Sequence, residues 1–152
     1  MMHKAMTVLA LGLMLVPGCD SDETVGPEGG TVTSRDGRVT LDIPAGALDH
    51  EVAITIEAVD DGPDGAVGDV YEIEPRSTAL HFPATLTYDL TADSVDGAER
   101  LDLVSSDMAD AILVTEKATG WDRMADRDLD EDAGLVSASV LFFSSYAVVL
   151  ED

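Results

Sequence analysis

The run Asp126-Arg127-Asp128-Leu129-Asp130-Glu131-Asp132 places the carboxylates of Asp126, Asp128, Asp130 and Asp132 at every second position. Calcium collects about 6–8 oxygen ligands, and an acidic loop with this spacing can supply several of them. The helix-loop-helix calcium pattern fails, however. Its sixth position should be Gly and is Glu131, its twelfth should be Glu and is Ser137, and Arg127 adds a positive charge. The run therefore reads as a solvated acidic loop between strands, with a calcium-dependent adhesive or envelope-stabilising module as the alternative. Cys19 is the one cysteine in the chain, so no internal disulfide can form. It stands at the border of an apolar run and an acidic segment, which favours lipid attachment over catalysis. His81 lies beside Phe82 with no Cys or second His nearby, and His50 sits between Asp49 and Glu51. Neither has the partner ligands that a metal site needs. No nucleophile elbow, dinucleotide fingerprint or phosphate loop occurs, and Gly26 to Gly30 lacks the Lys and following helix of the last. No feature supports a small-molecule enzyme, and no catalytic residue or cofactor is assigned.

The charge balance narrows the partners. The 152 residues carry 8 Lys and Arg against 31 Asp and Glu, a formal charge of −23. Such a charge favours solubility and repels phosphate backbones, so nucleic acid is excluded as a partner.

The elements that position these residues have the punctuation of an all-β domain. Val39, Leu41 and Ile43 alternate with Arg38, Thr40 and Asp42, which places the second set on the opposite, outward row. Val52, Ile54, Ile56 and Ala58 form a second apolar row. Asp36-Gly37 signals a hairpin, because Gly accepts positive φ and Asp tolerates the left-handed region. Further strands are predicted over 69–74, from Pro83 to Leu90, and over 101–105, 111–116, 121–124, 135–141 and 146–150. Lys117-Ala118-Thr119-Gly120 forms a turn, and a single helical turn is allowed over 106–111. No segment sustains a 3.6-residue apolar period, so helix content is expected to be low. About nine short strands of this kind predict an antiparallel β-sandwich.

The amino-terminal end reads as an export leader. Residues 5–16 form a mostly apolar run after His3 and Lys4. That is short of the roughly 20 residues a membrane-spanning helix needs, but it suits a signal-peptide core. Leu15-Val16-Pro17-Gly18-Cys19 resembles the bacterial lipobox, in which the Cys becomes the first mature residue and carries diacylglycerol. Removing residues 1–18 leaves 7 Lys and Arg against 31 Asp and Glu, a formal charge of −24. Residues 19–28 are polar and acidic with a Gly-Pro break, and read as a tether. Asp20 resembles a signal retaining some lipoproteins in the inner membrane.

Gly29-Gly30-Thr31-Val32, Ile43-Pro44-Ala45-Gly46-Ala47, Ile54-Thr55-Ile56, Tyr71 to Pro75 and Phe82 to Tyr88 together resemble the ZU-five domain of zonula occludens, Unc-five and ankyrin proteins. Trp121 and Phe143 to Val148 resemble the later part of bacterial lipoproteins carrying such domains. The resemblance implies a ZU-five-like β-sandwich over residues 29–152 that serves protein–protein contact. It also directs attention to Phe143-Ser144. Some family members carry His-Phe-Ser there and cleave themselves between Phe and Ser, using the Ser hydroxyl, a base and a strained peptide. This chain has Phe142 in the His position, and a phenyl ring accepts no proton. Phe142 and Phe143 are therefore read as core and strand residues. The expectation is a non-catalytic, protein-binding or structural module in the bacterial cell envelope, held to the membrane through lipidated Cys19. The alternatives are self-cleavage at Phe143-Ser144 or calcium binding at residues 126–132.

Overall fold

The computed structural model describes residues 23–67, 69–91 and 109–150. They form eleven strands: β1 (Glu23–Val25), β2 (Gly30–Thr33), β3 (Val39–Ile43), β4 (Val52–Val59), β5 (Val70–Glu74), β6 (Ala79–Asp89), β7 (Ala111–Lys117), β8 (Gly120–Arg123), β9 (Asp128–Asp130), β10 (Leu135–Phe142) and β11 (Ser145–Leu150). One sheet has the order β1-β4-β5-β11-β7-β8 and the other β2-β3-β6-β10-β9, with all pairings antiparallel. The domain is an all-β sandwich. The predicted strand over 101–105, most of the turn predicted over 106–111, and residues 1–22 with Cys19 lie outside the described residues.

The core is built from alternate side chains. Val39, Leu41 and Ile43 of β3 pack with Ile54 and Ile56 of β4, Tyr71 and Ile73 of β5, and Leu86 and Tyr88 of β6. β7 and β11 instead read as unbroken apolar runs because both of their faces are covered. A second cluster of Val70, Ile112, Val114 and Ala147 forms on the outer face of the six-stranded sheet. The loop after β4 lies against this side, where Val67 N–H donates to the Val148 carbonyl at 2.7 Å and Ala66 bridges Val149.

Four expectations need correction. Residues 23–25 belong to the fold and not to a tether over 19–28. Val25 is buried, and β1 pairs with Val52, Ala53 and Ile54 of β4. Gly26 to Gly29 then carry the chain from one sheet to the other. Arg38 does not point outward with Thr40 and Asp42, because it precedes β3 and is only 2% exposed. The acidic run is partly a strand, since half-buried Leu129 packs on the core and draws β9 onto the edge beside β10. Pro83 lies within β6, not at its start. There, four residues of β6 (80–83) stand against one of β10 (Leu141), so the missing N–H of Pro83 falls at an irregularity of the ladder.

The surface carboxylates repel one another, and this sets a salt dependence. Raising NaCl from ~10 mM to ~1 M shortens the screening length from about 30 to about 3 Å. The melting temperature is expected to rise by about 4 °C, corresponding to ~1 kcal/mol for a domain of this size. Scanning calorimetry checks this, and an unchanged or lower midpoint would contradict it.

Candidate functional site

Phe143-Ser144 sits in the corner between β10 and β11. Phe143 is buried; its N–H donates to the Thr78 carbonyl and its carbonyl accepts from Ser77 N–H, both at 2.9 Å. A donor on the carbonyl is one part of what attack by Ser144 would need. The hydroxyl is otherwise engaged. Ser144 Oγ is buried and donates to the main-chain carbonyl of Glu116 at 2.9 Å, and a carbonyl is no general base. The carboxylates nearby are directed elsewhere. Arg76 binds both Glu72 and Glu116, the latter at 2.7 Å, and holds the Glu116 carboxyl below its ordinary range. Glu72 is raised, first by its hydrogen bond with Glu74, and it accepts from Ser145 rather than Ser144. Phe142 is 37% exposed, and its carbonyl accepts from Tyr146 OH, whose titration burial pushes up to about 12. Intact-mass measurement after prolonged incubation is expected to show one species uncut at Phe143-Ser144. A fragment beginning at Ser144 would overturn this.

The alternating carboxylates serve the backbone. Both oxygens of Asp126 accept from Ser139 N–H at 3.2 Å, and hydrogen bonding from Ser139, its side chain first and then its main chain, holds the carboxyl below the ordinary range. Asp130 Oδ1 accepts from Ala133 N–H at 3.1 Å in the turn before β10. Asp128 and Asp132 are exposed. Among the described residues, no group of three or more His, Cys, Asp or Glu side chains is arranged to hold a metal ion. His50 and His81 are brought together by the fold. His50 Nδ1 lies against one oxygen of Asp49, and His81 Nε2 lies 3.8 Å from the other, all three side chains being exposed.

Two features escaped the sequence reading. The first is a polar hub under the β2–β3 turn. Asp36 Oδ1 accepts from Ser34 Oγ at 2.7 Å and from Arg38 N–H at 3.1 Å, and Asp36 Oδ2 accepts from Tyr71 OH. Burial first, then the bond to Asp36, pushes the Tyr71 hydroxyl well above its ordinary value. Burial does the same for Tyr88, with buried Arg38 opposing. The two tyrosine rings meet edge to face, 5.4 Å apart at 76°.

The second is a surface patch. Phe82 is 56% exposed, Leu141 55% and Phe142 37%, the three large apolar side chains left to solvent among the described residues. They flank the irregularity between β6 and β10, where Leu141 stands opposite residues 80–83 and Phe142 opposite Ala79. His81 N–H, in the same segment, donates to the Ala47 carbonyl at 2.9 Å. The Phe82 ring lies over Gly46, where even a methyl would come within 3.1 Å of it. A shallow groove of about 350 Å³, bordered by Pro44, Pro83 and Thr85, opens in the same sheet. The alternation rule could have found these residues, because Phe82-Pro83 and Leu141-Phe142 each break it.

No family model matches the sequence, and no curated protein matches it.

Proposed function

We propose that this chain is a bacterial lipoprotein of the cell envelope, anchored through Cys19, whose ZU-five-like sandwich holds a protein partner near the membrane without catalysis. The observation that carries the reading is the patch of Phe82, Leu141 and Phe142. Apolar side chains exposed together on a domain otherwise dressed in carboxylates mark a contact surface. The partner this surface fits presents apolar side chains at its centre and basic ones at the rim, against Asp42, Asp49 and Glu51. The motif residues support the family assignment, and the apolar leader ending at Cys19 supports the anchor.

A photoreactive phenylalanine at position 82 of the full-length chain, irradiated in the envelope fraction, tests the reading. One dominant crosslinked protein is expected, lost with Leu141→Ser and absent when the probe stands at Thr33 on the far edge of the same sheet. Equal crosslinking from both positions would refute the patch as a docking surface. Cys19→Ala is expected to leave the membrane fraction; partitioning like the parent would refute the anchor.

A further inference from the structure

The outer edge of β4 is only partly covered. β1 pairs with it at Val52 to Ile54, and β5 takes Thr55 to Val59 on the other side. Among the described residues, no strand lies against the outer edge of β4 from Thr55 to Val59. An open groove of about 230 Å³ runs beside this edge, lined by Ile56, Glu57 and Ala58 and by Ser34, Arg35 and Asp36 of the β2–β3 turn. Arg35 is exposed there with no hydrogen bond or ion pair. The other described cations are engaged. Arg76 and Lys117 bind carboxylates, Arg127 donates to main-chain carbonyls, and Arg38 and Arg123 have their own interactions.

Chain length then fixes where this edge can be. Cys19 precedes Glu23 by four residues, a reach of at most ~15 Å at about 3.8 Å per residue. Strand β8, at the opposite end of the sheet, stands five strand spacings from β1, about 24 Å at ~4.8 Å each. Lying flat is disfavoured on either face. Glu57 pairs across from Glu72 on one sheet, and Asp42, Asp128 and Asp130 project from the other.

We propose that the domain stands edge-on at the bilayer, with β1, the open edge of β4 and Arg35 against the lipid headgroups, and with β8 farthest away. This rests on the lipid anchor at Cys19. Among the described residues, Arg35 supplies the one cation free to meet a headgroup phosphate within the screening distance of about 8 Å. The Phe82 patch, on the other sheet, is left open to its partner.

The test uses the acylated full chain in phosphatidylcholine vesicles containing phosphatidylglycerol and a headgroup-linked acceptor dye. A donor dye is placed at Glu57→Cys or at Asp122→Cys; the Cys19 sulfur is blocked by its thioether, so the new thiol alone reacts. Energy transfer is expected to be several-fold higher from position 57 than from 122. A Gly/Ser insert of about twelve residues after Asp22, adding ~20 Å of flexible reach, is expected to erase the difference. Arg35→Glu is expected to lower transfer from position 57 on vesicles containing phosphatidylglycerol. Equal transfer from both positions, or indifference to the insert, would overturn the proposal while leaving the anchor standing. A mature chain whose mass shows no acyl group would overturn both.

Discussion

Replacing Asp36 with alanine is expected to lower the free energy of unfolding by about 3 kcal/mol. One carboxylate there accepts from a hydroxyl of its own turn, from the Arg38 N–H and from the Tyr71 OH. Arg38 and Tyr71 are almost completely buried, whereas Asp36 borders the open groove beside β4, so water replaces only part of what is lost. Each buried donor left without an acceptor costs ~1–3 kcal/mol, and here the Arg38 N–H and the Tyr71 OH both lose one. Tyr71→Phe removes one of the three bonds and keeps the edge-to-face ring contact, so about 1–2 kcal/mol is expected. Because the two groups share a bond, the double variant should cost less than the sum of the single ones by ~1 kcal/mol. Urea unfolding of the four proteins measures this. A loss below ~0.5 kcal/mol for Asp36→Ala would show that the hub is solvated and dispensable.

Why that hub was invisible while the strands around it were legible is a matter of range. Val39 to Ile43 and Val52 to Ala58 announce themselves by period two, which depends on one buried face and nothing else. Arg38 continues the outward phase of Thr40 and Asp42, so alternation assigns it to solvent. Arg38 is buried all the same, and the hub beside it is completed by Tyr71, which is thirty-five residues from Asp36 and meets it only once both sheets have formed. The Asp36-Gly37 turn was legible for a partly different reason from the one its sequence suggests. Gly37 has φ +78°, but Asp36 does not use the left-handed region; its contribution is the side chain. Val25 was hidden in the same way, because one apolar residue in an acidic segment has no period. The exposed apolar residues Phe82, Leu141 and Phe142 were legible in principle, as two interruptions of alternation. The reading of Phe142 and Phe143 as core and strand residues holds only in part, since Phe142 ends β10 but is 37% exposed, and Phe143 is buried but lies just past the strand. The bond from Ser144 to the Glu116 carbonyl depends on a neighbouring strand that no local pattern reveals.

Gly29→Ala is expected to be about as costly as the loss of the hub, and comparison with Gly37→Ala isolates the cause. Both glycines have positive φ, +82° and +78°. Holding alanine in that region costs ~1–2 kcal/mol by itself. At Gly37, an added Cβ meets nothing within 4 Å, so that cost is all that Gly37→Ala should show. At Gly29, the Cβ would lie 2.4 Å from the Ile43 carbonyl oxygen and 2.8 Å from Ala45 N and Pro44 C, all main-chain atoms with no rotamer to change. The backbone at the start of β2 or in the Pro44-Ala45-Gly46-Ala47 loop must move, and a total near 3–4 kcal/mol is expected. The Gly pair and the Ile-Pro-Ala-Gly-Ala stretch are thus two halves of one close contact between main chains. That contact also positions the loop on which the Phe82 ring rests. A Gly29→Ala protein kept folded below its lowered midpoint should therefore crosslink less from position 82, whereas Gly37→Ala should not. Equal destabilisation of the two variants would mean that φ alone matters and that the contact can relax.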